Sequence, residues 1–68
     1  MQNDYINYIK AIRKEKLVPQ KEMAYVLDIS QPQYSRYETC KDKMPFDHFL
    51  NACKYLNISV DRMIYNLN

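Results

Sequence analysis

The run Gln20–Glu38, QKEMAYVLDISQPQYSRYE, most restricts how this chain can fold, because it spells two short helices with room between them only for a tight turn. In its first half Met23, Ala24 and Leu27 recur at i, i+1 and i+4, one apolar stripe along a helix, while Gln20, Lys21 and Glu22 keep the front polar. The stripe ends at Leu27. Asp28 and Ile29 follow, and aspartate is one of the few residues that tolerate the left-handed conformation needed to leave a helix sharply. The chain has no glycine to do this. Ser30 then opens the second helix, and with Gln33 it forms a Ser-x-x-Gln capping box: the hydroxyl accepts from the Gln33 amide while the Gln33 side chain reaches back. Pro32 falls in the first turn, where backbone N–H groups lack helical partners, so its missing donor costs little. Tyr34 and Tyr37 are expected to face the core. Gln31, Ser35, Arg36 and Thr39 then form a short outward face able to donate hydrogen bonds.

The flanking sequence extends this into an all-α reading. A first helix from about Asn3 to Lys16 places Tyr5, Ile9 and Ile12 inward and its lysines outward. Pro19 stops it and starts the next helix without a side-chain cap, which weakens that start by about 1 kcal/mol. A fourth helix from about Phe46 to Tyr55 puts Phe46, Phe49, Leu50, Cys53 and Leu56 on one face, and Asn57 ends it in place of glycine. Ser59 caps a last helix from Val60 to about Asn66, with Asp61 near its positive end. The expectation is one domain over residues 1–68, a compact five-helix bundle without repeats, linkers or low-complexity segments.

Composition narrows the function classes. At 68 residues only about 60% of the unfolded surface is buried on folding, so a partner subunit is the expected source of added stability. No apolar run approaches the roughly 20 residues of a membrane span, and MQNDYINYIK lacks the basic and apolar regions of a signal peptide. A cytoplasmic protein is expected. Cys40 and Cys53 are too few for a disulfide framework and read as reduced thiols. With His48 they would make three metal ligands, but the spacing matches no common zinc pattern. A single histidine, no glycine-rich loop and no evident acid pair leave nothing for an enzyme, and no cofactor, metal or small-molecule ligand is expected. The net charge of +2 says little alone. Its distribution says more: Lys10, Arg13, Lys14, Lys16, Lys21, Arg36, Lys41 and Lys43 outnumber Glu15, Glu22, Asp28, Glu38 and Asp42 in the half that carries the two-helix motif.

Those two helices resemble the helix-turn-helix of the phage repressor and Cro type, the XRE family, and the resemblance extends over about residues 5 to 66. It is carried by Ile9, Ile12, Arg13, Val18, Gln20, Met23-Ala24, Leu27, Ile29-Ser30, Tyr34, Arg36 and Tyr37-Glu38 in the family's order and spacing. It continues through Phe46, Phe49-Leu50, Cys53, Leu56, Ile58-Ser59, Asp61 and Met63-Ile64. The resemblance implies a lambda-repressor-like DNA-binding domain, a sequence-specific transcriptional regulator and repressor that inserts its third helix into the major groove of a two-fold symmetric operator as a homodimer. Three departures bear on docking: Pro19 stands where a Ser or Thr cap is common, Pro32 takes a base-reading position and an amide, and Cys40 replaces a frequent glycine, implying a different or an adapted loop.

Roles divide because phosphates supply most of the affinity and base edges supply sequence. Gln31, Gln33, Ser35 and Arg36 are the candidate base readers, with Gln31 and Arg36 foremost, since glutamine pairs bidentately with adenine and arginine with guanine. Gln33 competes with its own capping box, and Ser35 is short. The resemblance places Gln20, Ser30, Thr39, Lys41 and Lys43 on phosphates, and pairs Arg13 with Glu38 across the motif. The plain alternative for each is a solvated surface residue. Val60, Ile64, Tyr65 and Leu67 are candidates for the subunit contact, against simple closure of the monomer core. The rival function is a protein-interaction module that keeps the fold, such as an antitoxin or antirepressor acting on a regulatory protein partner.

Overall fold

A chain without glycine must still turn between helices, and four residues do so at positive φ: Leu17 at 60°, Asp28 at 57°, Cys40 at 59° and Asn57 at 58°. In the computed structural model, which describes residues 2–67 and the side chains of 4–66, these residues punctuate five helices. They are α1 (Gln2–Glu15), α2 (Gln20–Leu27), α3 (Gln31–Glu38), α4 (Phe46–Tyr55) and α5 (Val60–Leu67), with no strand among the described residues. Every exit closes the same way. The amide after the left-handed residue reaches five positions back: Val18 to the Arg13 carbonyl (3.0 Å), Ile29 to Ala24 (3.0 Å), Lys41 to Arg36 (2.9 Å) and Ile58 to Cys53 (2.8 Å). This is the Schellman closure, and Val18, Ile29 and Ile58 pack against the core as its apolar member. Asp28 and Asn57 tolerate the geometry. Leu17 and Cys40 hold it against a steric cost of about 1–2 kcal/mol each.

Cys40 therefore keeps the loop shape that glycine would give, the adapted outcome of the two expected. The first helix lies one residue earlier at both ends than its pattern predicts. At α2 the cap position is Pro19 with no side-chain hydrogen bond, as its sequence implies.

The core joins Ile6 and Ile9 of α1, Met23, Ala24 and Leu27 of α2, Tyr34 and Tyr37 of α3, Met44 of the following loop, Ala52 and Cys53 of α4, Leu56, and Met63 of α5. Helix α2 packs on α3 and α4, and α1 packs on α3 and α5. The predicted inward face of α4 needs correction. Phe46 is 72% exposed and Leu50 40%, while Ala52 is fully buried, because α4 meets the core along Ala52, Cys53 and Leu56 rather than along its most hydrophobic edge. Phe46 instead stacks near Phe49, ring centroids 6.3 Å apart, beside an apolar groove of about 720 Å³ that also takes in Met44, Val60 and Ile64. On α1, Ile6 is buried where Tyr5 and Ile12 are half-buried.

Candidate nucleic-acid interface

Helix α3 is fixed to the body through a buried ion pair. Arg13 of α1 sends Nε to Glu38 Oε2 (2.6 Å) and Nη2 to Oε1 (3.0 Å), a bidentate fork that also caps α1 by donating Nη1 to the Val18 carbonyl (2.8 Å). Gln20 of α2 donates Nε2 to Glu38 Oε1 (3.0 Å). One carboxylate at the end of α3 thus ties together the three helices that determine how α3 is presented. Burial alone would raise the Glu38 pKa, yet the Arg13 and Gln20 hydrogen bonds hold it below the ordinary carboxylate value, and the carboxylate holds Arg13 protonated more firmly still. Tyr34 lies fully buried nearby, its hydroxyl without a hydrogen-bond partner among the described residues, and burial pushes that phenol far above its ordinary range. Tyr37 packs inward as well, its hydroxyl 3.2 Å from His48 Nδ1. Neither tyrosine belongs to the outer face.

The residues that sequence marks as base readers lie along the two turns of α3, with Gln31 and Gln33 on different sides of it. Gln31 and Arg36 are exposed, and Gln33 and Ser35 are half-buried. The capping box is only half formed. Ser30 Oγ accepts from the Gln33 amide (3.2 Å), but the Gln33 side chain turns the other way and donates to Asp42 Oδ2 (3.0 Å). The bond to Asp42 is charge-assisted, whereas the return would have Gln33 Oε1 accept from the neutral Ser30 amide, and the turn after α3 brings the carboxylate within reach, so the side chain goes to Asp42. Arg36 uses the same carboxylate, Nε to Oδ2 at 2.7 Å and Nη2 to Oδ1 at 3.1 Å. The Arg36 guanidinium, with help from Gln33, draws the Asp42 pKa down to about 2.

The residues assigned to phosphates fall into two groups. Lys41 and Lys43 are exposed in the loop after α3, and Ser30 keeps a free hydroxyl proton while accepting at the α3 start. Two others are partly committed inside the protein. Thr39 donates its only proton to the Ser35 carbonyl (3.0 Å), with Arg36 O at 3.4 Å, so in this rotamer it can accept but not donate outward. Gln20 spends one N–H on Glu38 and has one left. Of the four residues assigned to a subunit contact, Ile64 is 40% and Tyr65 82% exposed, Val60 is half-buried against the core, and the side chain of Leu67 lies outside the described residues. Sequence reasoning passed over Asp42, counting it only as one charge in a loop. Its spacing of six from Arg36 has meaning only once Cys40 turns the chain back.

No group of three acidic, histidine or cysteine side chains that could hold a metal occurs among the described residues. Cys40 is exposed and Cys53 buried, both free thiols, and burial pushes the Cys53 thiol up to about 11. Among the described residues no helix is long and apolar enough to cross a membrane. Compared with known families, residues 9–63 match the model described as helix-turn-helix. No curated protein and no solved structure matches the chain.

Proposed function

This chain belongs to the XRE-type helix-turn-helix family of DNA-binding regulators, and from that premise we propose that it is a sequence-specific repressor that reads a two-fold symmetric operator as a homodimer. The observation that carries the reading is the pairing of a fixed mount with a polar surface: Glu38 ties α3 to Arg13 and Gln20, and α3 leaves Gln31 and Arg36 exposed with Gln33 and Ser35 half-exposed beside them. A helix held this firmly can enter the major groove with little further ordering of its backbone, which favours base discrimination. Arg36 and Gln31 read bases, Lys41 and Lys43 grip phosphates, Ser30 and the remaining N–H of Gln20 add hydrogen bonds at the two helix starts, and Thr39 contributes only after its hydroxyl rotates away from α3. Val60, Ile64 and Tyr65 supply the subunit contact, and the expectation for Leu67 falls outside the described side chains.

The test is selection of bound duplexes from a random pool by the purified protein at near-physiological salt. An enriched inverted repeat with half-sites about 34 Å apart supports the reading. In such an assay Arg36→Ala relaxes the preference at one position per half-site, whereas Lys43→Ala weakens all duplexes alike and lowers the salt slope by about one. No enrichment by a folded sample would sink the proposal and favour a protein partner for the same surface.

A further inference from the structure

Asp42 sits in the loop behind α3, and its position is set by the backbone as well as by its side chain: its amide donates to the Arg36 carbonyl (3.2 Å) beside the Lys41 amide on that same oxygen (2.9 Å). The returned carboxylate then takes three hydrogen bonds, two from Arg36 and one from Gln33. It engages one side of the Arg36 guanidinium, Nε and one proton of Nη2. A guanidinium has five N–H donors in a planar fork, so three remain, including the parallel pair on Nη1 and Nη2 at its far end. That end is the one that matches O6 and N7 of guanine. Gln33, with one Nε2 proton on Asp42, likewise keeps its other N–H and its carbonyl oxygen.

The ion pair is half-exposed, the two side chains at 50% and 36%. Pairs this wet contribute little to folding stability. Their effect lies in geometry: an arginine free in solvent must surrender its rotamer freedom when it docks, and a braced one has already done so.

We propose that Asp42 is a positioning residue for sequence discrimination, bracing Arg36 so that its free edge meets guanine and linking Gln33 to the same position, without touching DNA itself. The inference rests on the reading of α3 as the recognition helix. It carries an unusual signature, because Asp42 is also a negative charge near a phosphate-facing loop. Its removal lowers discrimination while leaving unspecific affinity the same or higher. Loss of an ordinary contact lowers both.

The experiment compares wild type, Asp42→Asn, Asp42→Ala, Arg36→Ala and the Asp42→Ala/Arg36→Ala pair by fluorescence anisotropy on three duplexes: the selected operator, the operator with one guanine per half-site replaced, and an unrelated sequence. Circular dichroism melts establish that each variant is folded. Wild type is expected to prefer the guanine, Arg36→Ala to lose the preference, and Asp42→Ala to reduce it about tenfold at that position alone. Asp42→Asn is expected to fall between, and Asp42→Ala to add nothing at that position once Arg36 is gone. Unchanged or sharpened discrimination in Asp42→Ala overturns the proposal, since Asp42 would then be inert or a mask. Equal loss at every position overturns it too, as loop disorder would do. A wild-type protein with no preference among duplexes refutes the DNA-reading function itself, and is distinguished by occurring before any substitution is made.

Discussion

Leu17 is 88% exposed at φ 60°, a residue that packs on little and pays a steric cost for its backbone. Glycine there removes about 1–2 kcal/mol of left-handed strain and gives back about 0.5–1 kcal/mol through the freer unfolded chain. Leu17→Gly should therefore raise stability by up to about 1 kcal/mol, read as a Tm gain of at most about 4–8 °C in a domain this small. The same change at Asn57 should gain less, because asparagine already tolerates the geometry, and equal gains at both sites would show that strain is not the cause. Legibility at this scale followed the same chemistry. Asp28 and Asn57 announced themselves as turn residues because their side chains favour that conformation. Leu17 did not, since nothing in a leucine signals a left-handed bend, and it is imposed here by Arg13 and Val18 closing α1 from either side.

At the scale of elements, the bond between α1 and α3 is the Arg13–Glu38 fork, with side chains 9% and 1% exposed. A buried pair costs little to replace as a unit and much to break, because the partner left behind is an uncompensated charge. Arg13→Met should destabilise by about 3 kcal/mol in urea unfolding, and Arg13→Met/Glu38→Leu should recover most of that loss. A double variant as unstable as the single would mean that the fork holds more than charge. The pair also has a pH signature. The folded pKa of Glu38 lies below its ordinary value of 4.5, so its contribution is fully present above about pH 4.5 and is lost as pH falls through the folded pKa. Acid unfolding should accordingly flatten in the double variant, and an identical acid limb in both proteins would count against Glu38 as its source. Helices α2, α3 and α4 were readable from spacing and caps to within a residue, since their patterns repeat locally. The burial of α4 was not: its sequence displays Phe46 and Leu50 as prominently as Cys53, and only its packing on α2 decides that Ala52 goes inside.

On the scale of the whole molecule, the extents are 31 × 23 × 19 Å, and under the proposed reading, with α3 as the recognition helix, one copy would cover one half-site. Two half-sites a helical turn, about 34 Å, apart need two copies joined on a two-fold axis. The proposed contact on α5 has a physical basis: Ile64 and Tyr65 leave apolar surface at 40% and 82% exposure, beside the groove shared with Phe46 and Val60. A charge there should repel its symmetry mate while leaving the core intact, because Met63 is the α5 residue that is fully buried. Ile64→Lys is expected to weaken self-association at least tenfold in sedimentation equilibrium, with little change in melting of the monomer. On DNA it should abolish the advantage of an inverted repeat over a single half-site, while base preference within the half-site stays. If the variant still binds the inverted repeat as tightly as wild type, the two copies meet elsewhere. If base preference within the half-site disappears with the dimer, then α3 depends on the partner for its orientation, and the mount built from Arg13, Glu38 and Gln20 is not sufficient to hold it.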